Sequence, residues 1–332
     1  MKLRTFLLLF PMLALPLSAA DAPRERISFN AGWRFAKGDP ADAQAGALDY
    51  AAVKDWVAPT GAELVNFSVV KPARPAGNLG DGVACAQSAF DDSGWRKLDL
   101  PHDWGIEGPF AQENPGDTGK LPWWGVAWYR KSFPIPTTDE GKRVFLDIDG
   151  AMSYSLIWCN GQFVGGWPYG YSSYRVELTP YLKVGGDNVL AIRLDNPKDS
   201  SRWYPGGGIY RNVWLVKTAP VHIAHWGVFV TTPVVTPAAA TVDVKVTLDN
   251  ATASVATTRV SARLYELGAD GQKSGEPVVT AAPIALQIAA GRQSFGSLSL
   301  NVANPKLWSL SRPQRYVAVT TVEQGGKVVD ME

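Results

Sequence analysis

The sequence predicts an all-β chain folded as two sandwiches in series. Three observations carry this. Short apolar or alternating runs recur along the chain, each broken by Gly, Pro, Asn or Asp, which is the pattern of strands joined by turns. No long amphipathic helical repeat and no strand–helix alternation interrupts them. Past residue 220 the composition shifts to Thr, Val and Ala in strict alternation, as expected where one sheet face is buried and the other is wet. A length of 332 residues suits about two domains.

The elements follow in chain order. The first twenty residues, MKLRTFLLLFPMLALPLSAA, begin with the basic Lys2 and Arg4, continue through an apolar run and end on Ser18, Ala19 and Ala20. They read as a secretory signal peptide at 1–20, which makes the protein secreted or periplasmic. The apolar run is too short for a membrane span, no cysteine follows it, and no other segment predicts one. Two domains are then expected, at 24–220 and 221–332. The stretch 37–88, rich in Ala, Gly, Asp and Pro, reads as an extended insertion with one helical turn at 50–56. A strand at 144–148 ends on Asp149-Gly150. A strand at 153–159 meets Asn160-Gly161 and a second run at 162–164, a hairpin signature because both turn residues tolerate positive φ. Strands at 188–194 and 212–216 follow. In the second domain Val242, Val244, Val246 and Leu248 alternate with Asp243, Lys245 and Thr247, and Val260, Ala262 and Leu264 repeat the pattern. A Gly/Pro joint at 268–277 separates these from strands at 284–288, 294–300 and 316–322. About seven strands in about a hundred residues is the size of an immunoglobulin-like sandwich.

Several chemistries are disfavoured. The net charge of +1 gives no reason to expect nucleic acid or an acidic membrane as partner. Gly165-Gly166 and the glycines at 206–208 do not lie between a strand and a helix, so no phosphate cradle is predicted. Cys85, Cys159, His102, His222 and His225 are spaced too widely for a metal site, and no cofactor is expected. The cysteines read as buried packing thiols, with a disulfide as the alternative. Asp147 and Asp149 share one strand face, and their expected role is a solvated face ending in a turn. Asp91-Asp92 reads as a turn with local side-chain bonds. His102-Asp103 point to opposite sides of an extended segment, so His102 reads as structural rather than as one half of a relay.

Aromatic residues carry more information. The chain holds 13 Trp, and three clusters sit in Gly/Pro-rich contexts: Trp123-Trp124, Trp167 to Tyr171, and Trp203-Tyr204. Ring faces stack on the apolar faces of sugars while neighbouring polar groups satisfy hydroxyls, so the clusters point to carbohydrate.

Five spaced motifs sharpen this: FNAGWRF (29–35), FDDSGWRKLDLPHDW (90–104), GVAWYRKSF (125–133), IWCNGQFVG (157–165) and SRWYPGGGIYRNVWL (201–215). Together they resemble the N-terminal sugar-binding domain of glycoside hydrolase family 2, in its β-galactosidase branch, from about residue 27 to 220. Residues 221–332 are similar to the immunoglobulin-like domain that follows it. The resemblance implies a galactose-binding-like jelly roll, an immunoglobulin-like sandwich, and then a (β/α)₈ barrel with two catalytic glutamates. Such enzymes retain anomeric configuration, their two carboxyl groups about 5 Å apart. The chain ends in VVDME, similar to the segment that leads into the barrel, so the barrel is expected to be missing and no catalytic residue is assigned. In the family a loop of the first domain helps shape the sugar pocket. The matching positions are Arg202, Trp203 and Tyr204, with Trp123 and Trp124 near a second contributing loop. Arg202 stands where better-known members carry an acid beside a bound cation, so no metal is assigned. The three glycines after it are expected to let the loop thread close to a neighbouring domain.

The leading expectation is therefore the non-catalytic N-terminal part of an exported β-galactosidase-type hydrolase, partnered by a β-galactoside or related carbohydrate and by the missing barrel. A stand-alone carbohydrate-binding module is the alternative, and a purely structural sandwich pair ranks below both. A homo-oligomer is left open.

Overall fold

A computed structural model describes residues 23–40, 48–64 and 72–332, with only the backbone given for 62–64. The signal-peptide segment lies outside these residues.

The first sandwich is made of β1 (Glu25–Ser28), β2 (Trp33–Lys37), β3 (Arg96–Leu98), β4 (Gly125–Ile135), β5 (Arg143–Ile148), β6 (Ser155–Cys159), β7 (Gln162–Trp167), β8 (Tyr174–Glu177), β9 (Gly186–Asn196) and β10 (Val213–Thr218). They form two antiparallel sheets, ordered β1-β10-β5-β8 and β3-β2-β4-β9-β6-β7. Between them lies a core that includes Trp33, Tyr129, Leu146, Ile157, Ile192 and Val213. The Asn160-Gly161 turn is present with φ of 53° and 82°, joining β6 to β7 in register Cys159↔Gln162.

The insertion departs from its expected single turn. It carries α1 (Tyr50–Leu64), a 15-residue helix. The Asp49 carboxylate accepts the Ala52 N–H at 2.8 Å and caps the start. Pro59 inside the helix costs about 3 kcal/mol. Burying Val53 and Val57 offsets it at about 2 kcal/mol each. These valines join Trp128, Trp158 and Phe163 in a second core on the outer side of the six-stranded sheet. With both faces covered, every residue of β6 is buried. Local propensity underrates such a helix because the sheet face that stabilises it lies about a hundred residues away, where Gly166 donates to Thr60 Oγ1 at 3.2 Å across a separation of 106 residues.

The second sandwich comprises β11 (Val221–Val235), β12 (Ala239–Asn250), β13 (Ala256–Leu267), β14 (Lys273–Thr280), β15 (Ile284–Ile288), β16 (Arg292–Ala303), β17 (Arg315–Gln324) and β18 (Lys327–Met331). Its sheets are β11-β12-β16 and β14-β13-β17-β18, with β15 also on β13. In β12 the buried positions Ala240, Val242, Val244, Val246 and Leu248 alternate as the sequence pattern requires. The expected joint at 268–277 is shorter, because β14 begins at Lys273 and the turn is closed by Gly268 N–H donating to the Gln272 carbonyl at 2.8 Å.

One electrostatic expectation is corrected. Asp147 is not on a solvated face: it is buried and bidentate with Arg175 on the adjacent strand, at 2.5 and 2.8 Å. Its neighbour Asp149 accepts Trp214 Nε1–H at 3.0 Å. Asp91 accepts the Ser93 N–H at 2.9 Å, the local turn bond expected of it. Cys85 and Cys159 are both buried with no disulfide between them, and burial pushes the Cys159 thiol up to about 12.

The two sandwiches are tied by the chain's first and last strands. Arg24, just ahead of β1, donates to Asp330 of β18 at 2.9 and 2.7 Å and to the Ile223 carbonyl at 2.6 Å. The His222 ring packs 5.7 Å from that of Phe145.

Candidate functional site

The chain leaves β9 at Asn196 and enters the opposite sheet as β10 at Val213, and the loop between them carries Arg202, Trp203 and Tyr204. Its base is stitched to the first sandwich. Asn196 Nδ2 donates to the Gly206 carbonyl at 2.7 Å and the Trp123 carbonyl at 3.1 Å. His102 and Trp104 donate through their backbones to Ile209 and Gly207 at 2.9 and 2.8 Å. Met152 and Gly208 exchange backbone bonds at 2.9 and 3.1 Å.

The glycines are explained by this seam. Gly206 and Gly208 have φ of +89° and +125°, a region that favours glycine. A Cβ on Gly207 would lie 2.8 Å from both Trp104 Cε2 and the Trp123 carbonyl oxygen. On Gly208 it would lie 2.6 Å from the Tyr129 hydroxyl and press on the His102 carbonyl. The close approach seen here is to the chain's own His102, Trp104, Trp123 and Tyr129, which by itself accounts for these glycines without a neighbouring domain.

Asp103 organises the loop. Its carboxylate accepts the Tyr204 hydroxyl at 2.8 and 2.9 Å, and Oδ1 also accepts the N–H groups of Gly105 and Gly207 at 2.9 Å each. Burial and the Asp103 bond raise the Tyr204 phenol well above its ordinary value, so it stays a donor. Beneath, Arg96 pairs with Glu107 at 2.5 and 2.8 Å, and His102 Nε2 lies 3.1 Å from Glu107. The Arg96 bonds lower the Glu107 pKa, so its carboxylate is ionised and can only accept. His102 Nε2 therefore carries the proton, leaving Nδ1 to accept the Tyr129 hydroxyl at 2.7 Å. Burial lowers the His102 pKa and keeps the ring neutral. Sequence reasoning placed His102 as structural, and this network is that role. It set Asp103 aside, although the Asp-Trp-Gly order is the signal for its Asx turn onto Gly105.

The expected site residues divide. Arg202 is exposed and Trp203 is 58% exposed. Tyr204 is half-buried with its hydroxyl on Asp103. Trp124 is half-buried, edge-on to Trp123 at 5.9 Å, with Lys198 Nζ 5.3 Å from its ring centre. Trp123 is 1% exposed and offers no ring face to a ligand; its carbonyl instead accepts Trp104 Nε1–H at 2.9 Å and Asn196. The fold joins two clusters that the sequence lists apart, since Trp203 Nε1–H donates to the Tyr171 hydroxyl at 2.9 Å.

This arrangement can bind and orient. No acid/base pair is evident in it: Asp103 is engaged by Tyr204, Gly105 and Gly207, and the low Glu107 pKa is opposite to what a general acid needs. A groove in the second sandwich is lined by Lys306, Arg312 and Arg315 with no acid among its lining residues. Among the described residues no group of three or more His, Cys, Asp or Glu is gathered as metal ligands.

Residues 94–204 match the model of the glycosyl hydrolase 2 galactose-binding domain-like family, and residues 221–332 match that of glycosyl hydrolases family 2. The chain belongs to glycosyl hydrolase family 2. This family 2 chain is 38% identical over 316 residues to a β-galactosidase of Bacteroides ovatus, covering 94% of the chain and 31% of that protein. It is 26% identical over 264 residues to a β-glucuronidase of Formosa agariphila, covering 73% and 26%. Among solved structures it resembles a glycosyl hydrolase family 2 member from Bacteroides cellulosilyticus, with a TM-score of 0.72, 28% identity, and coverage of 92% of this chain and 35% of that one. The family 2 chain thus spans about a third of the length of the relatives it matches.

Proposed function

We propose that this chain is the non-catalytic N-terminal part of an exported, retaining β-galactosidase-type hydrolase, and that it supplies one wall of the sugar pocket. The observation that carries the reading is the exposed Arg202–Trp203 edge, held on a base whose carboxylates are all committed. A guanidinium donates in fixed directions to sugar hydroxyls, and an indole face covers the apolar side of the ring. The two glutamates that perform the chemistry, about 5 Å apart in a retaining enzyme, lie outside this sequence on the barrel. The galactoside preference rests on the 38% identity to the Bacteroides ovatus β-galactosidase. Export rests on residues 1–20.

The test is hydrolysis of a chromogenic β-galactoside by the 332-residue chain and by the same chain extended with the coding sequence that follows Glu332. The first should be inactive and the second active. Arg202→Ala in the extended protein should raise KM about tenfold. Turnover by the 332-residue chain, abolished by removing one of its own carboxylates, overturns the proposal. The exposed Trp203 also favours a second reading, a self-sufficient carbohydrate-binding module, under which the extended protein would remain inactive.

A further inference from the structure

We infer that Tyr169 and Tyr171 extend the Trp203 ring into a preassembled platform for a second sugar ring, beside the one that Arg202 and Trp203 face. Tyr169 and Trp203 are each 58% exposed and Tyr171 is 39% exposed. Other large rings of this chain are as open singly, but these three adjoin one another, and a contiguous exposed patch marks a candidate ligand surface. These three are also fixed in place. Trp203 Nε1–H donates to the Tyr171 hydroxyl at 2.9 Å, and the Tyr169 and Tyr171 rings meet edge-to-face at 5.6 Å. The loop beneath the tyrosines is pinned by the Tyr210 hydroxyl on the Gly170 carbonyl at 2.8 Å and by Trp167 Nε1–H on Ser172 Oγ at 2.7 Å. Gly170 lets that loop close onto Met152, the residue that also bridges Gly208.

The occupant follows from the chemistry of the surface. Trp203 spends its one donor on its neighbour, so it offers a flat ring with no polar demand. Ser200 and Arg202, exposed polar residues, flank Trp203 along the chain. An apolar face rimmed by hydroxyls is what a pyranose presents, and pre-ordered rings bind it without loss of side-chain freedom. Three linked rings also extend farther than one sugar covers, so the occupant is an oligosaccharide rather than a monosaccharide. All three lie within the residues matched by the galactose-binding domain-like family model. The inference rests on the pocket-wall reading only in placing this ring next to the cleaved sugar.

Calorimetric titration of the 332-residue chain with β-1,4-galactotetraose and with methyl β-galactoside tests it. The tetraose should bind about tenfold more tightly than the single ring. Tyr171→Ala and Trp203→Ala should each weaken tetraose binding about fivefold with an unchanged unfolding midpoint, while Trp203→Phe, which keeps a ring, should stay within about twofold. Equal affinity for the two ligands, no measurable tetraose binding, or binding indifferent to both alanine variants overturns the platform. Hydrolysis by the extended protein with no such length dependence removes the platform and leaves the pocket wall. Length-dependent binding without hydrolysis does the reverse.

Discussion

Replacing Asp330 by alanine should lower the unfolding free energy by about 4 kcal/mol. Asp330 is 0% exposed and its carboxylate accepts Arg24 Nε at 2.9 Å, Arg24 Nη2 at 2.7 Å and the Ile223 N–H at 2.6 Å. Alanine strands a buried backbone N–H, which costs about 1–3 kcal/mol. It also leaves a guanidinium only 13% exposed without its main counter-charge, and breaking such a pair from one side costs about 3–5 kcal/mol. The two costs overlap, and Arg24 keeps the Ile223 carbonyl at 2.6 Å and a longer contact to Glu332 at 3.5 Å, so the total falls in the lower part of the summed range. Asp330→Asn retains an acceptor for Ile223 and should cost about half as much. Urea unfolding followed by tryptophan fluorescence reads these differences. The double variant Arg24→Met, Asp330→Leu removes both charges and should be more stable than Asp330→Ala. A loss under about 1 kcal/mol in Asp330→Ala, or a double variant no better than the single one, would refute the view that this pair fastens the first strand to the last.

Two further outcomes follow from the same geometry. Gly208→Ala should cost about 3 kcal/mol, because its Cβ meets the Tyr129 hydroxyl at 2.6 Å at a φ of +125°, whereas Gly206→Ala, with Asp103 Oδ2 at 3.4 Å, should cost about 1 kcal/mol; equal losses in thermal unfolding would count against the seam. Burial lowers the His222 pKa from 6.5 to about 4. The unfolded chain therefore takes up the proton first, so this contribution is complete above pH 6.5 and is lost as pH falls toward 4. The slope should be on the order of 1 kcal/mol per pH unit, and His222→Gln should flatten urea midpoints measured at pH 7 and 5.5; parallel curves for the two proteins would exclude it.

Much of the fold was legible because period-2 burial is a local property. The alternation from Val242 to Leu248 and the Asn160-Gly161 turn each state their structure within a few residues, and the fold follows both. The motif at 201–215 likewise marked an irregular, glycine-rich segment, and a loop lies there between β9 and β10. What failed were two inferences that turn on partners far along the chain. Asp147 read as solvated because its Arg175 is on another strand. Trp123 read as a ligand contact because nothing local shows the loop that covers it.

The sequence by itself determined which stretches are strands, where they turn, and which family the motifs resemble, since backbone preference and side-chain alternation act between near neighbours. The tertiary structure alone decided what each polar group serves. Only the fold brings Arg24 to Asp330 across 306 residues, Asp103 to Tyr204 across 101, and Trp203 to Tyr171 across 32. Hydrogen bonds and ion pairs act over a few ångströms in space whatever their separation along the chain, so only the closed sandwiches reveal them.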